Sequence, residues 1–153
     1  MHCSVAQCLE VVGEWWSLLL VRDAFHGVRR FDDFQTRLGI SRNVLAQRLA
    51  KLVEAGVLSR ERYQDHPLRY EYVLTDKGRD LWPVMTAMRQ WGDRYAAPDG
   101  PPVRVVHRSC GHAAEFALVC SDCGERVSAR DVTVERRRGR TKKPAETERA
   151  ARR

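Results

Sequence analysis

Residues 31–56, FDDFQTRLGISRNVLAQRLAKLVEAG, read as a short helix, a tight turn and a longer amphipathic helix. Phe31, Phe34 and Leu38 recur at i, i+3 and i+7 and so share one face of the first helix. Gly39 offers the permissive backbone a turn needs, and Ser41 is a good N-cap because its hydroxyl accepts an orphan amide hydrogen bond. On the second helix Leu45, Leu49, Leu52 and Val53 form an apolar stripe. At about 100° per residue, Asn43, Gln47, Ala50, Lys51 and Glu54 point away from that stripe, and Ala46 is small enough to let the backbone approach another surface. Such a face suits the major groove of DNA, where amides pair with adenine edges and cations reach guanine or phosphate. An ordinary amphipathic surface helix has the same period, so the flanking sequence must decide.

After Gly56 the period changes to two. Leu58, Arg60 and Arg62 share a face in Val57 to Tyr63, as do Tyr70, Tyr72 and Leu74 in Arg69 to Leu74. Gln64 to Leu68 lies between them as a turn-forming tip, which makes a β-hairpin. Helix, turn, helix and basic hairpin is the order of a winged helix-turn-helix domain. In that arrangement the wing tip lies on the sugar-phosphate backbone or in the minor groove, so His66 and Arg69 are candidate contacts. A plain two-stranded flap over a core is the simpler alternative. Arg29 and Arg30, just before the first helix, are placed to hold phosphates.

Upstream, Val5, Cys8, Leu9 and Val12 give an apolar helical face ending at Gly13. Glu14 to His26 is apolar nearly all round, as expected of a helix buried on most sides, with Trp15 and Trp16 in core or interface. Downstream, Thr75 can cap a helix from Asp76 to Tyr95, whose Leu81, Val84, Met85, Met88, Trp91 and Tyr95 draw a long stripe. Pro83 should kink that helix or restart it. The stripe exceeds what one small core needs, so a homodimer is expected, setting two reading helices about one duplex turn apart on a pseudo-palindromic operator.

The net charge of +7 over 153 residues is unevenly placed. Nine of the 27 basic and two of the 20 acidic residues fall in 136–153, leaving 18 of each in 1–135. Within 29–69, nine basic residues face five acidic ones, a local excess where an electrostatic footprint on DNA would lie. The basic tail 136–153 is too polar to bury a core and is expected to be disordered, adding salt-sensitive nucleic-acid affinity or solubility alone. No apolar run spans a bilayer and no export signal or repeat is evident, so a cytoplasmic protein without membrane association is expected.

Beyond the linker 98–102, His107, Cys110, Cys120 and Cys123 fall in the pattern H-x2-C-x9-C-x2-C, each pair followed by glycine. Two such knuckles on short strand-like runs make a zinc ribbon, with one imidazole and three thiolates closing a tetrahedron around a structural Zn2+. Few apolar residues lie here, so metal would supply folding free energy. His112 could replace His107, and a metal-free Cys120–Cys123 redox pair is the competing reading. Cys8 lies on an apolar face as a packed hydrophobe, whereas Cys3 is near the exposed terminus where a thiol can react.

Together these features divide the chain into a winged helix-turn-helix domain (1–97), a linker (98–102), a zinc-ribbon-like β appendage (103–135) and a basic tail (136–153). The fold class is mainly α with a β-hairpin wing. From Cys3 to about Trp91 the chain resembles HxlR-type transcriptional regulators, a winged-helix family related in architecture to the MarR group. The resemblance rests on GEWWSLLLVRD, RRFDDF, GISRNVLAQRLAKLVEAGVLSR, RYEYVLTDKG, and Leu81-Trp82-Pro83-Val84 to Trp91-Gly92. It implies a dimeric DNA-binding repressor or activator in which Ser41 to Lys51, including Arg42, Asn43, Gln47 and Arg48, enter the major groove. Arg48 borders the buried stripe, so an internal salt bridge is its alternative. The resemblance also implies that Cys3 stands where some members carry a thiol sensor, although the proline usual after it is Ser4 here. A small-molecule or redox effector is compatible with this. No catalytic constellation is present, so no enzyme is expected; a protein–protein adaptor or a zinc- or thiol-responsive sensor are the other readings.

Overall fold

The computed structural model describes residues 3–135, so the expected disorder of 136–153 lies outside the described residues. Two compact units meet at the Phe116–Ala117 bond. The first runs through α1 (Ser4–Val12), α2 (Ser17–Phe25), α3 (Phe31–Leu38), α4 (Arg42–Glu54), β1 (Leu58–Gln64), β2 (Arg69–Leu74), α5 (Asp76–Arg79) and α6 (Trp82–Tyr95).

α3 and α4 form where periodicity and caps agree. Asp32 and Asp33 occupy the first turn of α3, where carboxylates complement the helix dipole. Gly39 ends it in the left-handed region at φ 62°, the conformation glycine adopts without a Cβ penalty. Ser41 then caps α4, its hydroxyl accepting a long, 3.5 Å hydrogen bond from the Val44 amide. Leu45, Leu49 and Leu52 of α4 are fully buried with Phe34 of α3 and Leu20 and Val21 of α2. Each such side chain contributes about 1.5–3 kcal/mol on leaving water. Asp23 of α2 is buried too, 2.9 Å from Arg22 and 3.5 Å from Arg37, and so ties α2 to α3.

The hairpin is antiparallel, with Leu58 opposite Leu74, Arg60 opposite Tyr72 and Arg62 opposite Tyr70. That register puts the two faces anticipated from period two on one side of the sheet. Arg29 and Arg30 run along its edge: the Tyr72 amide donates to the Arg29 carbonyl at 2.8 Å, and Arg30 bridges to Glu71. Thr75 closes the base of the wing, its hydroxyl donating to the Gly56 carbonyl at 2.6 Å and accepting from the Gly78 amide at 3.1 Å.

One helical expectation changes and two are made specific. The apolar run after Gly13 is not one buried helix: α2 starts only at Ser17, the chain bends 77° from α1 to α2, and Trp15 stands on the bend 81% exposed. The helix expected from Asp76 to Tyr95 is two, because Pro83 sits in the opening turn of α6 and fits there without losing a hydrogen bond. The α6 stripe is largely open, with Val84, Met88, Trp91 and Tyr95 exposed while Thr86 and Met85 face inward. No single helix among the described residues is long and apolar enough to cross a membrane.

Residues 104–116 and 117–129 repeat one backbone pattern, a repeat the sequence did not disclose. The His107 amide donates to the His112 carbonyl, Gly111 to His107, and Ala114 to Val105. Thirteen residues on, Cys120 donates to Glu125, Gly124 to Cys120, and Val127 to Leu118. The strand-like runs form only isolated bridges, Val106 to Ala113 and Val119 to Arg126, in place of ladders.

Candidate nucleic-acid interface

α4 presents Asn43, Ala46, Gln47 and Ala50 to solvent, opposite the buried leucines. The face is narrow, uncharged and rich in amide donors and acceptors, the chemistry that reads base edges. Its cations are engaged. Arg42 lies 3.6 Å from Asp32 of α3 and 4.9 Å from the centroid of the Phe31 ring. Lys51 reaches Glu14 at 3.3 Å. Arg48, grouped with the DNA-contacting residues, is turned inward: it pairs with Glu14 at 2.8 Å and its side chain is 18% exposed. Its place on the border of the leucine stripe is the reason, since a long side chain there folds back over the core and carries its charge to the nearest carboxylate.

The wing adds a second set of groups. Arg60 stacks on Tyr70 at 3.7 Å from the ring centroid, and Arg62 pairs with Asp65 at 3.1 Å. At the tip His66 and Arg69 are exposed, and Arg69 has no ion pair among the described residues. Arg29 pairs loosely with Glu71 at 3.7 Å, and Arg30 lies 4.8 Å from the centre of the Tyr63 ring. Arg60 and Arg69 thus lie on the two-stranded sheet, with Arg29 and Arg30 along its edge. Glu14 and the Arg60–Tyr70 stack were missing from the sequence-based set. The alternation of Arg60 with Tyr70 and Tyr72 carried a signal for the stack; nothing local marked Glu14, whose partners lie 34 and 37 residues away.

The two knuckles each offer a pair of metal donors. His107 Nδ1 lies 3.3 Å from Cys110 Sγ, close to the roughly 3.6 Å expected between nitrogen and sulfur ligands of one tetrahedral zinc. Gly111 and Gly124 adopt φ 71° and 74°, the left-handed turn that brings each pair together. Backbone hydrogen bonds from Cys123 and Asp122, then the Cys123 side chain, hold the Cys120 thiol below the usual thiol range, as suits a thiolate ligand. Among the described residues no three His, Cys, Asp or Glu side chains already surround a common point.

Helix, turn, second helix and basic wing define a winged helix-turn-helix protein. Residues 11–100 match the HxlR-like helix-turn-helix family, and the chain belongs to it. It is 48% identical over 133 residues to a Mycobacterium tuberculosis protein named "Uncharacterized HTH-type transcriptional regulator Rv3095", covering 86% of this chain and 84% of that one. Among solved structures it is similar to PA1607, titled a candidate transcription factor, at 44% identity and a TM-score of 0.80, over 89% of this chain and 96% of that one. It also resembles the oxidized form of the redox regulator HypR, at 33% identity and a TM-score of 0.56, over 60% of this chain and 96% of that one.

Proposed function

We infer that the protein is a DNA-binding transcriptional regulator that acts as a homodimer on a pseudo-palindromic operator. Family membership and relatives named as regulators support the general function. The single observation that carries the mode of binding is the exposed Asn43–Gln47 face backed by the buried Leu45, Leu49 and Leu52. α4 enters the major groove with Asn43 and Gln47 at base edges, and Ser41 and Arg42 approach the backbone at its N-terminus. Arg69 and His66 of the wing, with Arg29 and Arg30 at its edge, lie along phosphates or the minor groove. The open stripe on α6 supports the dimer.

His107, Cys110, Cys120 and Cys123 hold a structural Zn2+, each knuckle giving two ligands; when bound, the ion supplies cross-linking of the two knuckles. The donor spacing in the first knuckle and the lowered Cys120 thiol in the second support that assignment. Cys3, exposed just before α1, is the residue through which a thiol-responsive effector would act, a reading supported by the likeness to a redox regulator.

Selection from a random duplex pool by the full chain tests the central reading. Enrichment of one pseudo-palindrome is expected. Salt-sensitive binding with no enriched sequence would remove α4 as a reader and favour an adaptor.

A further inference from the structure

Glu14 lies in the turn between α1 and α2, and two cations of α4 converge on its one carboxylate. Oε2 is 2.8 Å from Arg48 Nη2, and Oε1 is 3.3 Å from Lys51 Nζ. The two cations are three positions apart, one helical turn, and differ in setting. The Arg48 side chain is 18% exposed and the Lys51 side chain 58%. With Arg42 set against Asp32, every cation of α4 has a carboxylate from another element beside it. The amides of Asn43 and Gln47, by contrast, point to solvent.

We propose that Glu14 is the positioning residue of the reading helix and limits its sequence-independent affinity for DNA. It holds Arg48 as an internal brace and keeps Lys51 from the phosphates. This rests on the reading of α4 as the DNA-reading helix. Sequence-independent affinity comes from cations that release counterions as they neutralise phosphates. A lysine already matched to a carboxylate of its own chain releases none on docking. Separating the pair would leave an unmatched carboxylate facing a polyanion, so the pair persists in the complex. Base reading by amides does not draw on the same charge, and binding is thereby weighted toward sequence.

The test uses the full chain, the duplex enriched from a random pool and a scrambled duplex, each titrated across a salt series. For Glu14→Gln, the slope of log K against log salt is expected to steepen by about 0.9 per docked protomer on both duplexes, one freed cation each. Adding Lys51→Met to that variant returns the slope to the wild-type value. Glu10→Gln, which removes an exposed carboxylate on α1, away from the Glu14 turn, leaves it there. Because Glu14→Gln strands Arg48, the same comparison is made between R48M and E14Q/R48M, where folding does not depend on a stranded charge. An unchanged slope in both Glu14 comparisons overturns the proposal, as does an equal rise with Glu10→Gln, or a rise that survives Lys51→Met. If the wild type shows no preference for the enriched duplex, the reading of α4 itself falls; if it shows one while Glu14→Gln has no effect, only the role of Glu14 does.

Discussion

The side-chain amide of Gln90 holds the backbone of Phe116 as a neighbouring strand would. Gln90 Nε2 donates to the Phe116 carbonyl at 2.9 Å, and the Phe116 amide donates back to Gln90 Oε1 at 3.1 Å. The Phe116 ring meets Trp82 edge-on at 5.1 Å, so both ends of one residue are fixed to α6. This is why the first knuckle belongs with the winged helix, although composition sets the linker at 98–102 and the appendage at 103–135. Gln90→Ala leaves a partly buried amide and carbonyl without partners, at a cost of about 1–3 kcal/mol each. Amide exchange at Phe116 is expected to accelerate at least tenfold while the Leu49 amide, deep in α4, exchanges at its original rate. Equal acceleration at both sites would mean that Gln90 supports the whole domain and not this attachment.

The exposed amides of α4 make a sharper prediction. Truncating Asn43 and Gln47 together to Ala would remove the proposed base-edge hydrogen bonding without touching the leucine core. Each good bidentate amide–adenine pair discriminates by about 1–3 kcal/mol, so losing two should lower preference for the operator over a scrambled duplex by about 1.5 to 4 orders of magnitude per protomer. Thermal stability and the salt dependence of binding to the scrambled duplex should stay as they were. Retained preference would place sequence reading elsewhere, with the wing the next place to look.

Much of this was legible because the physical constraint repeats along the chain. Leu45, Leu49 and Leu52 recur at helical spacing, and Tyr70, Tyr72 and Leu74 at strand spacing, so burial writes itself into the sequence at each step. What periodicity does not record is where an apolar run begins to be helical. Trp15 and Leu20 are equally apolar, yet one stands on a bend 81% exposed and the other is fully buried. Long-range charge matching is invisible for a related reason: Glu14 and Lys51 meet only because α4 packs beside the α1–α2 turn. The knuckle repeat is faint in the sequence because Val106/Val119, Cys110/Cys123 and Gly111/Gly124 are its only identities in thirteen positions. Hydrogen bonding, not side-chain identity, is what the two halves share.

The paired knuckles lead to a prediction about metal. Native mass spectrometry should find one zinc per chain, lost on treatment with a strong chelator. Replacing both Cys120 and Cys123 by Ser removes two of the four proposed ligands and should abolish zinc retention. It should also make residues beyond Ala117 susceptible to protease, since a small module with few buried apolar side chains depends on its ion to stay folded. The winged helix has its own core and should keep its melting transition. Zinc retained by the double variant would exclude the two-knuckle site.

The open stripe on α6 bears on the proposed dimer. Met88 is 54% exposed, Trp91 64% and Tyr95 65%, and the Trp91 and Tyr95 rings meet at a tilt, their centroids 5.5 Å apart. Continuous apolar area of this kind is uncommon on a monomer's surface and common at the centre of an interface, where Trp, Tyr and Met are enriched. Placing a carboxylate at its middle, Trp91→Glu, would desolvate a charge with no partner if the stripe is covered by a second copy. Sedimentation should then show a monomer where the wild type is expected to run as a dimer, with α4 and its core unaltered by circular dichroism. Operator affinity should fall by orders of magnitude, because the second half-site no longer binds at the high effective concentration a dimer provides. Affinity for an isolated half-site should hardly move. A Trp91→Glu protein that sediments as a dimer would assign the stripe to some other partner and move the two-fold axis away from α6.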